Sequence, residues 1–291
     1  MDSAFLETVL RVPMPGPTGV ITYLETVEGP ADADGFGTLS LVTRSQAVQS
    51  ATYKIKSRIP TSTTQALQTV GIDATGEVVR VLQEDAKRGA EVRLKAQYAQ
   101  RAGESAKELN MSTRWKRFLY GTLGIAPRVY VTNGTTFAYA LMNMANMVGV
   151  RSRRGPATFA VISRQQRVAL EESPAFIYAE KRGTANYNAI EYFGTLANLR
   201  IYVDHTNEWN DNVAIVGRKA GANEPGVYRT EYSIHLEEVA GTTDWSGEPE
   251  QLMALSERSA TVTVGDSGYK SYLSADIRVG KRPLWRKILG V

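Results

Sequence analysis

One apolar row, running from Asp73 to about Glu108, limits what this chain can become. Val78, Leu82, Ala86, Ala90, Leu94, Tyr98 and Ala102 recur at every fourth position, which sets them along one side of a single helix. At 1.5 Å per residue such a helix reaches roughly 50 Å, wider than the core of a small domain. It suits a strut across a flat, elongated subunit better than a pocket wall; an ordinary core helix broken near Gly89 is the alternative. Glu84 with Arg88 and Glu91 with Lys95 fall on the opposite face, each acid four residues before its base. Asp73 stands where an N-cap belongs, after the Gly71 that closes the segment before it.

Composition removes several classes of function. With 291 residues there is room for one large domain or for two to three sub-domains. Cysteine is absent, which excludes disulfides, thiolate metal sites and a cysteine nucleophile, and fits a reducing compartment. The opening MDSAFLETVL carries acids where a secretory signal needs early basic residues. The most apolar helical run, Phe137 to Val150, is interrupted by Asn143 and Asn146 and is too short to span a bilayer. Basic residues number 34 against 30 acidic ones, a net charge of +4. That permits contact with a polyanion without announcing a reader of nucleic-acid sequence.

Taken in order, residues 1–19 hold Pro13, Pro15, Pro17, Gly16 and Gly19 and read as an extended arm. Thr18 to Glu28 is rich in β-branched and aromatic residues. The turn-rich GPADADGFG follows, and a second β run extends from Thr38 through Ser50 to Ile59. Together these predict a long hairpin over 20–60 that projects from the body and lies on another subunit. Pro60 ends it, and TSTTQALQTV reads as a short helix led by Ser/Thr caps. Beyond the long helix, Met111 to Val131 mixes aromatic and basic residues. Thr135 to Val148 is an apolar helix whose Met142, Met144 and Met147 read as core filling. Ala157 to Ile162 is a buried strand, and Ser163 caps the helix after it. Leu199 to Asp204 and Asn212 to Gly217 are further core strands. From Pro225 onward, VYRTEYSIHLEEV and LSERSATVTVGDSGYKSYLSADIRV read as strands of one antiparallel sheet. The tail GKRPLWRKILGV is basic.

No motif for catalysis, cofactor or metal emerges. There is no P-loop, and Gly35 and Gly37 lack the third glycine and the helix of a dinucleotide fingerprint. His205 and His235 are far apart and match no HExxH spacing. A hydrolase built on Asp204 and His205 would need a nucleophilic serine in an elbow, and no Gly-x-Ser-x-Gly is present. The basic groups Arg151/Arg153/Arg154 and Arg278/Lys281/Arg282/Arg286/Lys287 could meet phosphate non-specifically; solvated charge or ion pairing is the simpler role.

In this order of elements the chain resembles a tailed-bacteriophage major capsid protein of the HK97-like fold, nearest to the T-even-type myovirus branch. Pro13–Met14 and Pro17–Thr18–Gly19, leading into VITYLETVEG, resemble the entry from N-arm to E-loop. Lys56–Ser57–Arg58 before ALQTVGID resembles the exit from that loop toward the spine helix. ATFAVISRQQRVALEES is similar to the strand–Ser-Arg–helix unit of the A-domain. LRIYVDHTNEWNDNVAIVGRKAGANEPGVYRTEYSIHL is similar to the passage back into the P-domain. Two departures stand out: GPADADGFG leaves no room for the domain that T-even members insert in the E-loop, and no scaffold-like pro-segment precedes the short arm. The resemblance then implies that such a segment is removed or that scaffold is supplied separately. Lys54 and Lys56 are not enough for covalent cross-linking, so cohesion is expected to be non-covalent.

The resemblance implies an α+β fold. Its parts would be an N-arm (1–19), an E-loop hairpin (20–60), and a P-domain with spine helix and antiparallel sheet (61–131 and 224–291 with the tail). An A-domain of helices on a small sheet (132–223) completes it. The implied function is structural, not enzymatic: a virion shell subunit forming hexamers and pentamers around double-stranded DNA, assembled in the host cytoplasm. Scaffold, portal and decoration proteins are the other implied partners, with no cofactor and no membrane. An encapsulin-like nanocompartment is the alternative. Inter-subunit contact is expected at Pro13, Met14, Pro17, Tyr23, Tyr53, Lys54, Lys56, Arg58, Arg151, Arg153 and Arg154. Non-specific DNA contact is expected at Arg278, Lys281, Arg282, Arg286 and Lys287.

Overall fold

The computed structural model describes residues 3–31, 37–110, 128–179, 189–206, 212–243, 249–265 and 267–280. The apolar row forms one unbroken helix, α2 (Ala74–Asn110), after a shorter α1 (Thr61–Thr69) that follows Pro60 without the expected side-chain cap. Leu82, Ala86, Ala90, Leu94, Tyr98 and Ala102 are all buried. At 3.6 residues per turn, a row of every fourth residue advances about 40° per step. It therefore winds roughly half-way round α2, and one helix can face two sheets.

The first sheet has the order β1-β11-β12-β4, and the second β5-β13-β10-β6-β9-β8-β7. In the first, β1 (Leu10–Pro13) runs parallel to β11 (Gly226–Thr243), which pairs antiparallel with β12 (Pro249–Val264), and that with β4 (Ala51–Pro60). Leu82 and Ala86 of α2 pack on it, against Ile59, Met253 and Leu255.

The second sheet joins β5 (Arg128–Val131), β6 (Phe159–Ser163), β7 (Phe176–Tyr178), β8 (Ile190–Leu196), β9 (Leu199–Asp204), β10 (Val213–Gly217) and β13 (Tyr272–Val279). Phe159, Val161, Tyr202 and Ile215 face Leu94, Tyr98 and Ala102 of α2. Ala160, Ile162, Ile201, Val203, Ala214 and Val216 face α3 (Gly134–Ser152) and α4 (Arg164–Glu171). Successive residues of a strand point to opposite faces, so helices cover this sheet on both sides, and its strands read as continuous apolar runs. Asn133 with Thr136, and Ser163 with Gln166, close capping boxes at the starts of α3 and α4. Met144 is buried and Met142 packs on the same cluster, whereas Met147 is exposed.

Four expectations need correction. The hairpin is β2 (Thr18–Ala31) with β3 (Gly37–Gln49) and ends at Ser50; residues 51–60 are β4, in the first sheet. Ser50 N–H and Oγ both donate to the Pro17 carbonyl, at 2.8 Å, and pinch the neck shut. Residues 272–279 do not continue the β11–β12 sheet but insert between β5 and β10. The N-terminal segment is not merely an arm: Phe5, Leu6 and Val9 are buried beside α2, and β1 adds an edge strand. Finally, Glu91 and Lys95 are buried, not solvent-facing, and Glu84 pairs with Arg80. Among the described residues, no helix is long and apolar enough to cross a membrane.

Candidate functional site: the surfaces available for assembly

The hairpin has two unlike faces, because its strands alternate. Ile21, Tyr23 and Val48 are buried against Ala220, Tyr228, Ala260 and Val264 of the body, and the Leu24 N–H donates to the Asn223 carbonyl at 2.7 Å. Gly265 makes this seat possible: its φ is +83°, and a Cβ there would lie 2.6 Å from Pro225 Cβ and 3.1 Å from a Tyr23 ring carbon. Tyr23 is thus a seat residue of its own subunit, a correction to its expected role as a contact on a neighbour. Arg44 turns to the same side, 2.9 Å from Glu25.

The other face carries Val20, Thr22 and Leu24 on β2, and Leu41, Thr43, Ser45 and Ala47 on β3, as the register dictates. All seven are exposed, and none is charged. Val20 is 65% and Leu41 72% accessible.

The other expected contact residues separate. Pro13 and Pro17 are exposed, while Met14 is buried, its N–H donating to Glu231 O at 3.1 Å. Tyr53 lies under Arg93, whose guanidinium carbon is 3.6 Å from the ring centroid. Lys54, Lys56 and Arg58 are exposed on β4 and so belong to the first sheet rather than to the hairpin. Arg151 donates to Ser105 Oγ, Arg153 is the left-handed C-cap of α3 (φ 56°), and Arg154 accepts from Arg218 through its carbonyl. Arg151 and Arg154 therefore hold their own subunit together. Of the expected DNA contacts, Arg278 lies 3.3 Å from Asp276, and Lys281, Arg282, Arg286 and Lys287 lie outside the described residues.

The Asp204–His205 pair is engaged in structural contacts. Asp204 Oδ2 is 3.1 Å from Lys95 Nζ, and Oδ1 accepts from Thr206 N–H at 2.9 Å. His205 Nδ1 accepts from Arg164 Nε at 3.2 Å, which leaves Nε2–H to donate to Glu191 Oε2 at 3.0 Å. Ser163, the nearest hydroxyl in sequence to Arg164, is consumed as a helix cap. Among the described residues, no three or more His, Asp or Glu side chains gather as a metal site.

Sequence reasoning missed Glu91. Its carboxylate, fully buried in mid-helix, accepts from Ser3 Oγ and from Ile190 N–H at 3.2 Å. It ties the N-terminal segment and β8 to α2. Burial pushes its pKa up, against smaller opposing effects of those hydrogen bonds. A carboxyl with a raised folded pKa supports the fold fully below its unfolded pKa, and loses that support as pH rises toward the folded value. Glu91→Gln is therefore expected to flatten the decline of stability above the ordinary carboxylate range. Glu91→Leu leaves the Ile190 N–H unpaired and costs about 1–3 kcal/mol. Urea unfolding midpoints measured between acid and neutral pH check both.

The family model described as major capsid protein Gp23 matches residues 18–263. Among solved structures, a chain of Microbacterium phage Oxtober96 is 14% identical with a TM-score of 0.54, covering 96% of this chain and 91% of that one. A chain titled as the capsid of an empty GTA particle is 11% identical with a TM-score of 0.52, covering 97% and 91%. One from Mycobacterium phage Cain is 11% identical with a TM-score of 0.51, covering 97% and 92%. At such identities the likeness is one of fold. No curated protein matches the sequence.

Proposed function

We infer, since the chain belongs to the major capsid protein Gp23 family, that the outward face of the β2–β3 hairpin carries the closure of its shell. The protein is a virion capsid subunit with the HK97-like fold that assembles with copies of itself. The hairpin, 18–49, takes the part of the E-loop, and α2 with the first sheet that of the P-domain. The second sheet with α3 and α4 takes that of the A-domain. The finer reading is of hexamers and pentamers around packaged double-stranded DNA, built in the host cytoplasm with scaffold, portal and decoration proteins. An encapsulin-like compartment is the weaker reading, because the family matched is a phage capsid family.

One observation carries this reading: seven exposed, uncharged residues lie side by side on a two-stranded element whose opposite face is already seated. An isolated two-stranded ribbon is marginal in water, and burying an aliphatic side chain contributes roughly 1.5–3 kcal/mol. Repeated around closed rings, such a contact decides whether a shell forms. Val20→Lys with Leu41→Lys is expected to leave a folded subunit with unchanged circular dichroism while electron micrographs lose closed particles. Normal particles from that double variant would remove the hairpin face from assembly.

A further inference from the structure

Residues 3–14 touch α2 and both large sheets before the hairpin begins. Ser3 Oγ donates to Glu91 on α2, and the Ala4 carbonyl accepts from the Tyr202 hydroxyl of β9 at 3.0 Å. Phe5 and Leu6 are fully buried. The Phe5 ring stands edge-on to Tyr98 and Tyr202, its centroid 6.1 and 5.4 Å from theirs. Val9, also buried, leads into β1, whose four residues on one neighbour, β11, hold little by themselves. Yet Leu10 and Val12 of β1 pack on the cluster that seats Ile21, Tyr23 and Val48 of the hairpin. Met14 Cε lies 2.6 Å from where a Cβ on Gly19 would stand, so the bare backbone of β2 rests on that side chain. Between Met14 and Thr18 come only Pro15, Gly16 and Pro17. Three residues span at most ~10 Å, and both proline rings fix φ. Phe5 itself belongs to a different cluster, shared with α2 and the second sheet, that holds no hairpin residue among those described.

We propose that residues 3–14 are a strap that keeps the hairpin in its seat, so that strap and hairpin leave the body together. The anchor from Ser3 to Val9 supplies the hold, and β1 carries it to the edge of the first sheet. The short proline joint then passes it to β2 without slack. Lifting the anchor leaves β1 with its four-residue ladder alone. Lifting β1 takes Leu10 and Val12 out of the wall of the seat. The core between the second sheet and α3 contains none of these residues, so it stays closed when the strap lifts. Openings of this kind are contiguous units that cost less than global unfolding. Resting on the reading of the hairpin's outward face as the assembly surface, the strap sets the direction of that face before a second copy meets it.

The Leu24 N–H reports the seat, because it is bonded across it to the Asn223 carbonyl. Its hydrogen exchange is measured in dissociated full-length subunits of the parent, of Phe5→Ala, and of Leu141→Ala, a deletion in the separate core under α3. Phe5→Ala is expected to speed that exchange by about 100-fold, the opening equivalent of the cavity left by a buried phenylalanine. Leu141→Ala is expected to leave it unchanged. A cysteine pair then tests the route. Val12 and Thr230 are register partners of β1 and β11, on strands about 4.8 Å apart and so within disulfide reach, and the chain has no cysteine of its own. Oxidising Val12→Cys with Thr230→Cys is expected to restore slow exchange in the Phe5→Ala background, and closed particles with it. An unchanged Leu24 rate in Phe5→Ala overturns the proposal, since the hairpin then unseats alone. Equal acceleration in Leu141→Ala also overturns it, since the subunit then opens as one. Should Phe5→Ala fail to fold, the cysteine pair in the parent decides: reduction must speed Leu24 exchange several-fold, and equal rates in both redox states overturn the strap. Normal particles from Phe5→Ala despite fast Leu24 exchange would instead sink the reading of the hairpin face as the surface that closes the shell.

Discussion

Glu257→Ala is expected to lower unfolding free energy by about 3–5 kcal/mol, because it strands a buried cation. Glu257 is 3% exposed and Arg229 2%. Glu257 Oε1 lies 2.7 Å from Arg229 Nη2, and Oε2 lies 3.0 Å from Arg93 Nη2. Without that carboxylate, Arg229 keeps, among the described residues, Glu231, whose Oε1 is 3.3 Å from Nη1 without hydrogen-bond geometry. Arg93, half-way along α2, would also lose its hold on β12. Replacing both partners at once, Arg229→Met with Glu257→Leu, removes the charges along with their desolvation and is expected to be nearly neutral. Urea midpoints of the single and double variants separate the two cases. A single variant within 1 kcal/mol of the parent would mean that water reaches Arg229.

How much of this could be read from the sequence depends on how far each interaction reaches along the chain. The spine helix was legible because its signal is periodic and local: Leu82 to Ala102 repeat inside one element. Ser163 as a helix cap was legible for the same reason, since its contact with the Gln166 N–H closes within one turn. The fate of Glu91 and Lys95 was not. Their spacing imitates a solvent-facing pair, while Ser3, Ile190, Asp204 and Thr206, which actually bind them, come from distant parts of the chain.

The neck at Ser50 shows a second kind of blindness. β3 runs into β4 with neither glycine nor proline between them; the break is made by hydrogen bonds to Pro17. That single misplacement moved Tyr53, Lys54, Lys56 and Arg58 from the sheet onto the hairpin. The alternation of Lys54, Lys56 and Arg58 with Tyr53, Ile55 and Ile59 was itself the mark of a half-buried strand. The destination of 272–279 was hidden in a different way. An antiparallel neighbour on one side and a parallel one on the other are equally compatible with an alternating strand read alone.

Tyr98→Ala is expected to cost about 3–5 kcal/mol, the range for deleting a large buried aromatic. The ring is fully buried near the middle of the face that α2 turns to the second sheet. Its centroid is 4.8 Å from that of Phe159 on β6, 5.1 Å from Tyr272 at the start of β13, and 6.1 Å from Phe5 in the N-terminal segment. Tyr272 in turn accepts from the Val227 N–H of β11 through its hydroxyl at 3.0 Å, so one side chain gathers the helix, both sheets and the N-terminal segment. Burial raises the Tyr98 phenol well above its ordinary range, so it stays protonated, 3.1 Å from Thr8 Oγ1. Tyr98→Phe gives up only that contact and is expected to cost about 0.5–1.5 kcal/mol, since Thr8 Oγ1 still donates to the Phe5 carbonyl at 2.7 Å. The consequence for the shell follows from where the lost ring sits. The hairpin face and the second sheet are held in a fixed relation by α2 and the first sheet, so loosening that joint should reduce the yield of closed particles before the subunit unfolds. Thermal melts together with particle counts across 25–45 °C, a range chosen on the order of a mesophile domain's approach to melting, check this. Unchanged particle yield at temperatures where the Tyr98→Ala melt has begun would show that the joint is not what keeps those surfaces in register.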